Sequence, residues 1–151
     1  MSNPNEQNQA GSREPLSWAS VVSRKTLGNL TIPPNSLDVF YKSVSDPFML
    51  VIFNPQKSSL KMEVFPVSSK EVLKLQLTLT AFSQEIFQQI SGILRNLNLE
   101  KIYTSGVCLK EGLCIYEAYI EENQLPTDRN SVVKMFGEIQ NLKEVILTPV
   151  D

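Results

Sequence analysis

The chain has 151 residues, 42% of them hydrophobic, with 14 Lys/Arg against 16 Asp/Glu and a formal net charge of -2. It has no histidine and only two cysteines, which excludes Ser-His and Cys-His nucleophile pairs, imidazole metal sites and four-thiolate zinc sites. Charge is uneven: residues 71–151 hold 7 Lys/Arg and 11 Asp/Glu, a balance of -4 that disfavours a phosphate-rich partner such as nucleic acid.

Met1 to Glu14 is polar, rich in Asn, Gln and Ser, and is expected to be a disordered tail. Residues 15–70 form an N-terminal extension. Ser17 is placed as the N-cap of a short helix carrying Trp18, Val21, Val22 and Lys25, which Gly28 stops. Trp18, the only tryptophan, is expected to pack on the flank, with a partner-binding anchor as the other reading. Leu30 to Pro47 is loop-like, with Leu37, Val39, Phe40 and Tyr41 as a short strand or a turn of helix inside it. Phe48 to Phe53 is continuously apolar, Asn54 to Ser59 is turn chemistry, and Leu60 to Phe65 alternates until Pro66. Together these predict a hairpin whose first strand is covered on both faces or at an interface.

From residue 71 onward the pattern is strand, helix, strand, strand, helix, strand. Leu73, Leu75, Leu77 and Leu79 share one face of a strand over Glu71 to Thr80. Ser83 caps a helix through Ile86, Ile90, Leu94 and Leu97, with Asn96 to Asn98 favouring a left-handed exit. Lys101 to Leu109 and Leu113 to Glu121 form a hairpin around Lys110, Glu111 and Gly112, which sets Leu109 opposite Leu113 and Cys108 opposite Cys114. Thr127 or Asp128 caps a helix with Val132, Val133, Phe136, Ile139 and Leu142, and Lys143 to Val150 is the last strand. With right-handed crossovers these elements predict a ferredoxin-like βαββαβ sandwich with strand order 4-1-3-2, in the α+β class.

This segment resembles an ACT-type regulatory domain over Val72–Thr80, Ser83–Leu97, Lys101–Leu109, Leu113–Glu121, Arg129–Leu142 and Glu144–Val150, about half of the chain. The resemblance implies a non-catalytic module, binding an amino acid or another small effector near the loop from strand one to helix one, and pairing into dimers through strands or helices. Members often carry Asp-x-x-Gly at that helix start. Here Thr80-Ala81-Phe82-Ser83-Gln84-Glu85 stands in its place, without the glycine that lets a carboxylate approach backbone N–H groups. The effector candidates are Thr80, Phe82, Ser83 and Gln84, with Ser105 and Gly106 placed on the neighbouring strand.

Cys108 and Cys114 are expected as two buried thiols in a reducing cytosol, with a cross-strand redox pair as the other reading. Tyr103, Tyr116 and Tyr119 lack the basic pattern of RNA-stacking modules, and the adjacent Glu121 and Glu122 read as a solvated strand end. Apolar residues on the face away from the helices, Ile115 and Tyr119, together with the Phe48–Phe53 run, predict self-association as a homodimer. No enzyme activity, cofactor, metal, nucleic acid or membrane partner is expected, and the chain reads as cytoplasmic. The functional expectation is a small-molecule-binding regulatory or assembly module. The alternative is a structural interaction domain that binds no small ligand.

Overall fold

A computed structural model describes residues 16–30 and 32–151, so the expected tail over residues 1–14 lies outside the described residues. The described part is α+β, with two antiparallel sheets and four α-helices. Strand β1 (Trp18–Ser23) leads into α1 (Arg24–Gly28) and α2 (Pro34–Ser43), followed by the hairpin of β2 (Phe48–Pro55) and β3 (Leu60–Val67). Then come β4 (Val72–Leu79), α3 (Gln84–Asn96), β5 (Tyr103–Lys110), β6 (Leu113–Glu121), a 3-10 turn (Glu122–Gln124), α4 (Arg129–Gly137) and β7 (Leu142–Pro149). The first sheet has the order β1-β2-β3 and the second β5-β6-β4-β7.

The layers follow from strand alternation. On β2, Met49, Val51 and Phe53 face α1 and α2, packing with Leu27, Leu37, Phe40 and Tyr41. Leu50 and Ile52 point the other way and join Val72 and Tyr119 of the second sheet. The opposite face of that sheet, through Leu73, Leu75, Leu77 and Leu79, packs on Ile86, Ile90 and Leu94 of α3 and on Val132 and Phe136 of α4. The stack is therefore helices, sheet, sheet, helices. The continuously apolar run of β2 is explained by its place between two layers.

Three expectations for the N-terminal region are corrected. Trp18 to Ser23 is a strand paired with β2, not the start of a helix. The helical spacing is weak there, Val21 and Val22 are β-branched, and six ladder positions outweigh it. The cap falls at Ser23, whose hydroxyl accepts from Thr26 N at 3.1 Å, and Gly28 ends α1. Trp18 is 47% exposed on this outer strand instead of packed on a flank. Residues 34–43, expected as loop with a short strand or a turn of helix inside it, form a full helix with Pro34 in its first turn, where the missing N–H costs nothing.

A further correction concerns the stated basis for a homodimer: Ile115 and Tyr119 are fully buried, Tyr119 under the β1-β2-β3 sheet of the same chain. In the β5–β6 hairpin, Lys110 and not Leu109 stands opposite Leu113; Leu109 is the extra residue of a bulge, and Gly112 takes the positive φ of 73°.

Candidate functional site

Thr80, Phe82, Ser83 and Gln84 lie together at the start of α3, but their polar groups are already engaged. Thr80 N donates to the Asn141 carbonyl at 2.8 Å, and its hydroxyl reaches the same oxygen at 3.3 Å. The Ser83 hydroxyl accepts from Ile86 N at 3.3 Å, as an N-cap does. The Glu85 carboxyl is held below its ordinary value by its own backbone N–H and by the Ser83 hydroxyl. Phe82 sits edge-on to Phe87, 6.3 Å between ring centroids, and both are partly exposed.

Ser105 and Gly106 do not join them, which corrects their placement on a neighbouring strand. β6 lies between β4 and β5, so Gly106 stands level with Tyr116, which in turn stands level with Leu77. Ser105 is level with Glu117 and shares the face away from α3. The split crossover that inserts β6 separates the two halves of the expected effector site.

Cys108 and Cys114 are opposed, as the hairpin register implied, and are joined in a disulfide with Cα atoms 4.0 Å apart. They are not two buried thiols. Cys114 is buried in the core under α3 and α4, whereas Cys108 is exposed on the outermost strand.

The most developed polar constellation went unnoticed in the sequence. Glu117 is fully buried in the middle of β6. One carboxylate oxygen accepts from Lys74 Nζ at 2.9 Å and from Leu16 N at 2.9 Å; the other accepts from the Ser17 hydroxyl. Lys74 also donates to the Ser17 carbonyl at 2.7 Å, and the Ser17 hydroxyl lies 2.7 Å from the Tyr119 hydroxyl. Each charge thus has several partners, which a buried ion pair needs to offset its desolvation. Burial pushes the Tyr119 hydroxyl up to about 12, with Ser17 opposing and the charge of Glu117 adding to the rise. Burial alone pushes Tyr116 up to about 12. The sequence signal was a single Glu inside an otherwise apolar strand, Leu113 to Ile120. The cluster is closed by the entering chain at Leu16 and Ser17, so it reads as a clasp between the two sheets. Glu121 and Glu122 are likewise engaged and not simply solvated: Glu121 accepts from Ser68 N and Oγ, and Glu122 pairs with Arg129.

Among the described residues, β5 stands at a sheet edge with no strand on its outer side. A Cα separation as short as that of Cys108 and Cys114 belongs to a non-hydrogen-bonded pair, so by alternation the N–H and C=O of Thr104, Gly106 and Cys108 point away from β6. From Tyr103 to Leu109 the strand has neither a charge nor a proline, and Val107 and Leu109 are 41% and 57% exposed. The other outer strands are protected by familiar means. β7 carries Lys143, Glu144 and Pro149; β3 carries Lys61, Glu63 and Pro66; β1 is short, and its Val21 N donates to the Asp151 carbonyl.

A shallow groove of about 300 Å³ lies between α3 and α4, away from β5. No metal-ligating cluster of His, Cys, Asp and Glu occurs among the described residues, and no described helix is long and apolar enough to cross a membrane. No protein-family model and no curated protein matches the chain.

Proposed function

We propose that this chain is a non-catalytic assembly module of ferredoxin-like, ACT-like architecture that pairs with a second copy through the open edge of β5. The order β5-β6-β4-β7 supports the architecture, since it corresponds to second, third, first and last strand of a βαββαβ unit with α3 and α4 on one face. The observation that carries the function is the undefended β5 edge, set against an α3 start whose Thr80 and Ser83 hydroxyls are already engaged. A bare edge of this kind is a template for strand addition.

The strand is self-complementary. An antiparallel two-fold centred on Gly106 sets Gly106 against its own copy and Thr104 against Cys108 of the second copy, which are the residues with outward N–H and C=O groups. Val107 then meets Ser105, Leu109 meets Tyr103, and the exposed Lys101 meets the exposed Glu111 at each end. A two-fold contact must match itself in this way.

Sedimentation equilibrium tests the reading. A dimer is expected, lost in a folded Gly106→Pro variant, because proline removes the central outward donor while sparing the β6 ladder. Lys101→Glu should weaken the dimer by roughly 2–5-fold, the size of an exposed ion pair, and Lys101→Glu with Glu111→Lys should restore it. A monomer at high concentration would sink the proposal. A stability gain from an amino acid in a thermal-shift screen would instead support the small-effector reading at Thr80–Gln84.

A further inference from the structure

The strand with the open edge also carries its own covalent tether. Cys108 is exposed on β5, while Cys114 is 4% exposed and enclosed with Leu79 and Tyr116 in the helix-side core. The two sulfurs of one bond therefore differ in access. A small thiol can approach the exposed Cys108 from the open edge of the sheet, and the route to Cys114 is closed by packing. Access of this kind selects which sulfur is attacked in thiol–disulfide exchange.

We infer that Cys108–Cys114 is an exchange site for small thiols and their disulfides, entered at Cys108, and that its state sets the grip of the β5 edge. The second half rests on the assembly reading above. In the forward direction a small thiolate attacks Cys108 Sγ. A bond forms between the two sulfurs, the Cys108–Cys114 bond breaks, and Cys114 leaves and is protonated. A second small thiolate attacks the small-molecule sulfur of the mixed disulfide and releases Cys108. Two small thiols are oxidised to one small disulfide, and one protein disulfide is reduced to two thiols; a small disulfide reverses the sequence.

The edge responds because of where the tether lies. Cys108 is the last of the three residues that face outward, and the bulge at Leu109 interrupts the ladder immediately beyond it. Val107 and Leu109 are exposed, so little packing holds this end of β5 once the bond is open. The oxidised chain presents a fixed edge, and the reduced chain presents one that frays.

Mass spectrometry of native protein in glutathione buffers tests the exchange site. Cys114→Ala should take up one glutathione, on Cys108, from oxidised glutathione. Cys108→Ala should take up none under the same conditions. Reduced glutathione at millimolar concentration should open the wild-type bond without denaturant. Equal labelling of the two variants, or a bond that yields only after unfolding, would overturn the site and leave a structural staple. Sedimentation of the oxidised and reduced chains tests the coupling: the dimer should dissociate at least fivefold more readily when reduced. Equal dissociation constants would overturn the coupling. If neither form dimerises while Cys108 still exchanges, the assembly reading fails and the exchange site stands.

Discussion

β5 and β6 are the two arms of one hairpin, and they occupy opposite environments. β6 is buried along Leu113 to Ile120, with helices under one face and the first sheet over the other, whereas most of β5 is exposed. Their compositions do not announce this difference: Val107 and Leu109 are as apolar as Ile115 and Ile120, and the charged Glu117 is on the buried strand. Burial here is a property of position in the stack. A strand with both faces covered tolerates a charge only when a full set of partners comes with it, and an outer strand is free to spend its backbone on a partner.

Mutations at Glu117 should break this comparison most strongly. Glu117→Ala leaves the largely covered Lys74 without its counter-charge and should cost about 3–5 kcal/mol in urea unfolding. Lys74→Met with Glu117→Leu should recover most of that loss, since a packed apolar pair is often as stable as a buried ion pair. If the single variant loses less than about 1 kcal/mol, water reaches Glu117 and the strand is less enclosed than described.

The helix-side core comes next. Leu77 is fully buried between β6 and β7, and Leu77→Ala should cost about 2–5 kcal/mol by the same measurement.

A pH series sharpens the contrast without mutation. Tyr116 and Tyr119 both belong to β6, and both hold their protons up to about 12 in the folded chain against an ordinary 10.0. The folded state binds more protons than the unfolded state between those values. The contribution is complete below pH 10, falls as pH rises through this window and is gone above about 12. Urea unfolding at pH 9 and pH 11 should show the loss, and Tyr116→Phe should reduce it.

The smallest effect on stability belongs to the outer strand. Leu109→Ala should change unfolding free energy by less than about 0.5 kcal/mol, as exposed substitutions do, while weakening the dimer in sedimentation. A large loss of stability there would mean that Leu109 is covered.

What was legible in the sequence was periodicity. The alternating leucines of β4, the Ser83 cap and the left-handed Asn98, and the span of β6 were read from residues within one element. The helix of residues 34–43 was legible only in part, as a turn of helix or a short strand, although Leu37, Phe40, Tyr41 and Val44 have helical spacing behind Pro34. What was hidden depended on elements far apart in the chain. β1 is a strand because β2 offers it a ladder, and Tyr119 is buried because another sheet lies over it. The separation of Ser83 from Gly106 was implied by the expected strand order, but the site was drawn as though the two strands touched. The Lys74–Glu117 clasp needed both the pairing of β4 with β6 and the return of Ser17 across them.

The Ser17–Glu117 bond joins residues 100 positions apart. Chain synthesis runs from the N-terminus, so residues 16–70 emerge before β4 and β6 exist. Until then Leu50, Ile52 and Val67 have no opposing sheet, and the nascent chain carries an oily plane. Such surfaces are where partly made chains stick to one another. The long loop that must close before the clasp can form makes its closure a late folding event. The interval before closure is when the protein is most exposed to aggregation, and hydrogen exchange pulsed during refolding should find Leu16 among the last amides to be protected.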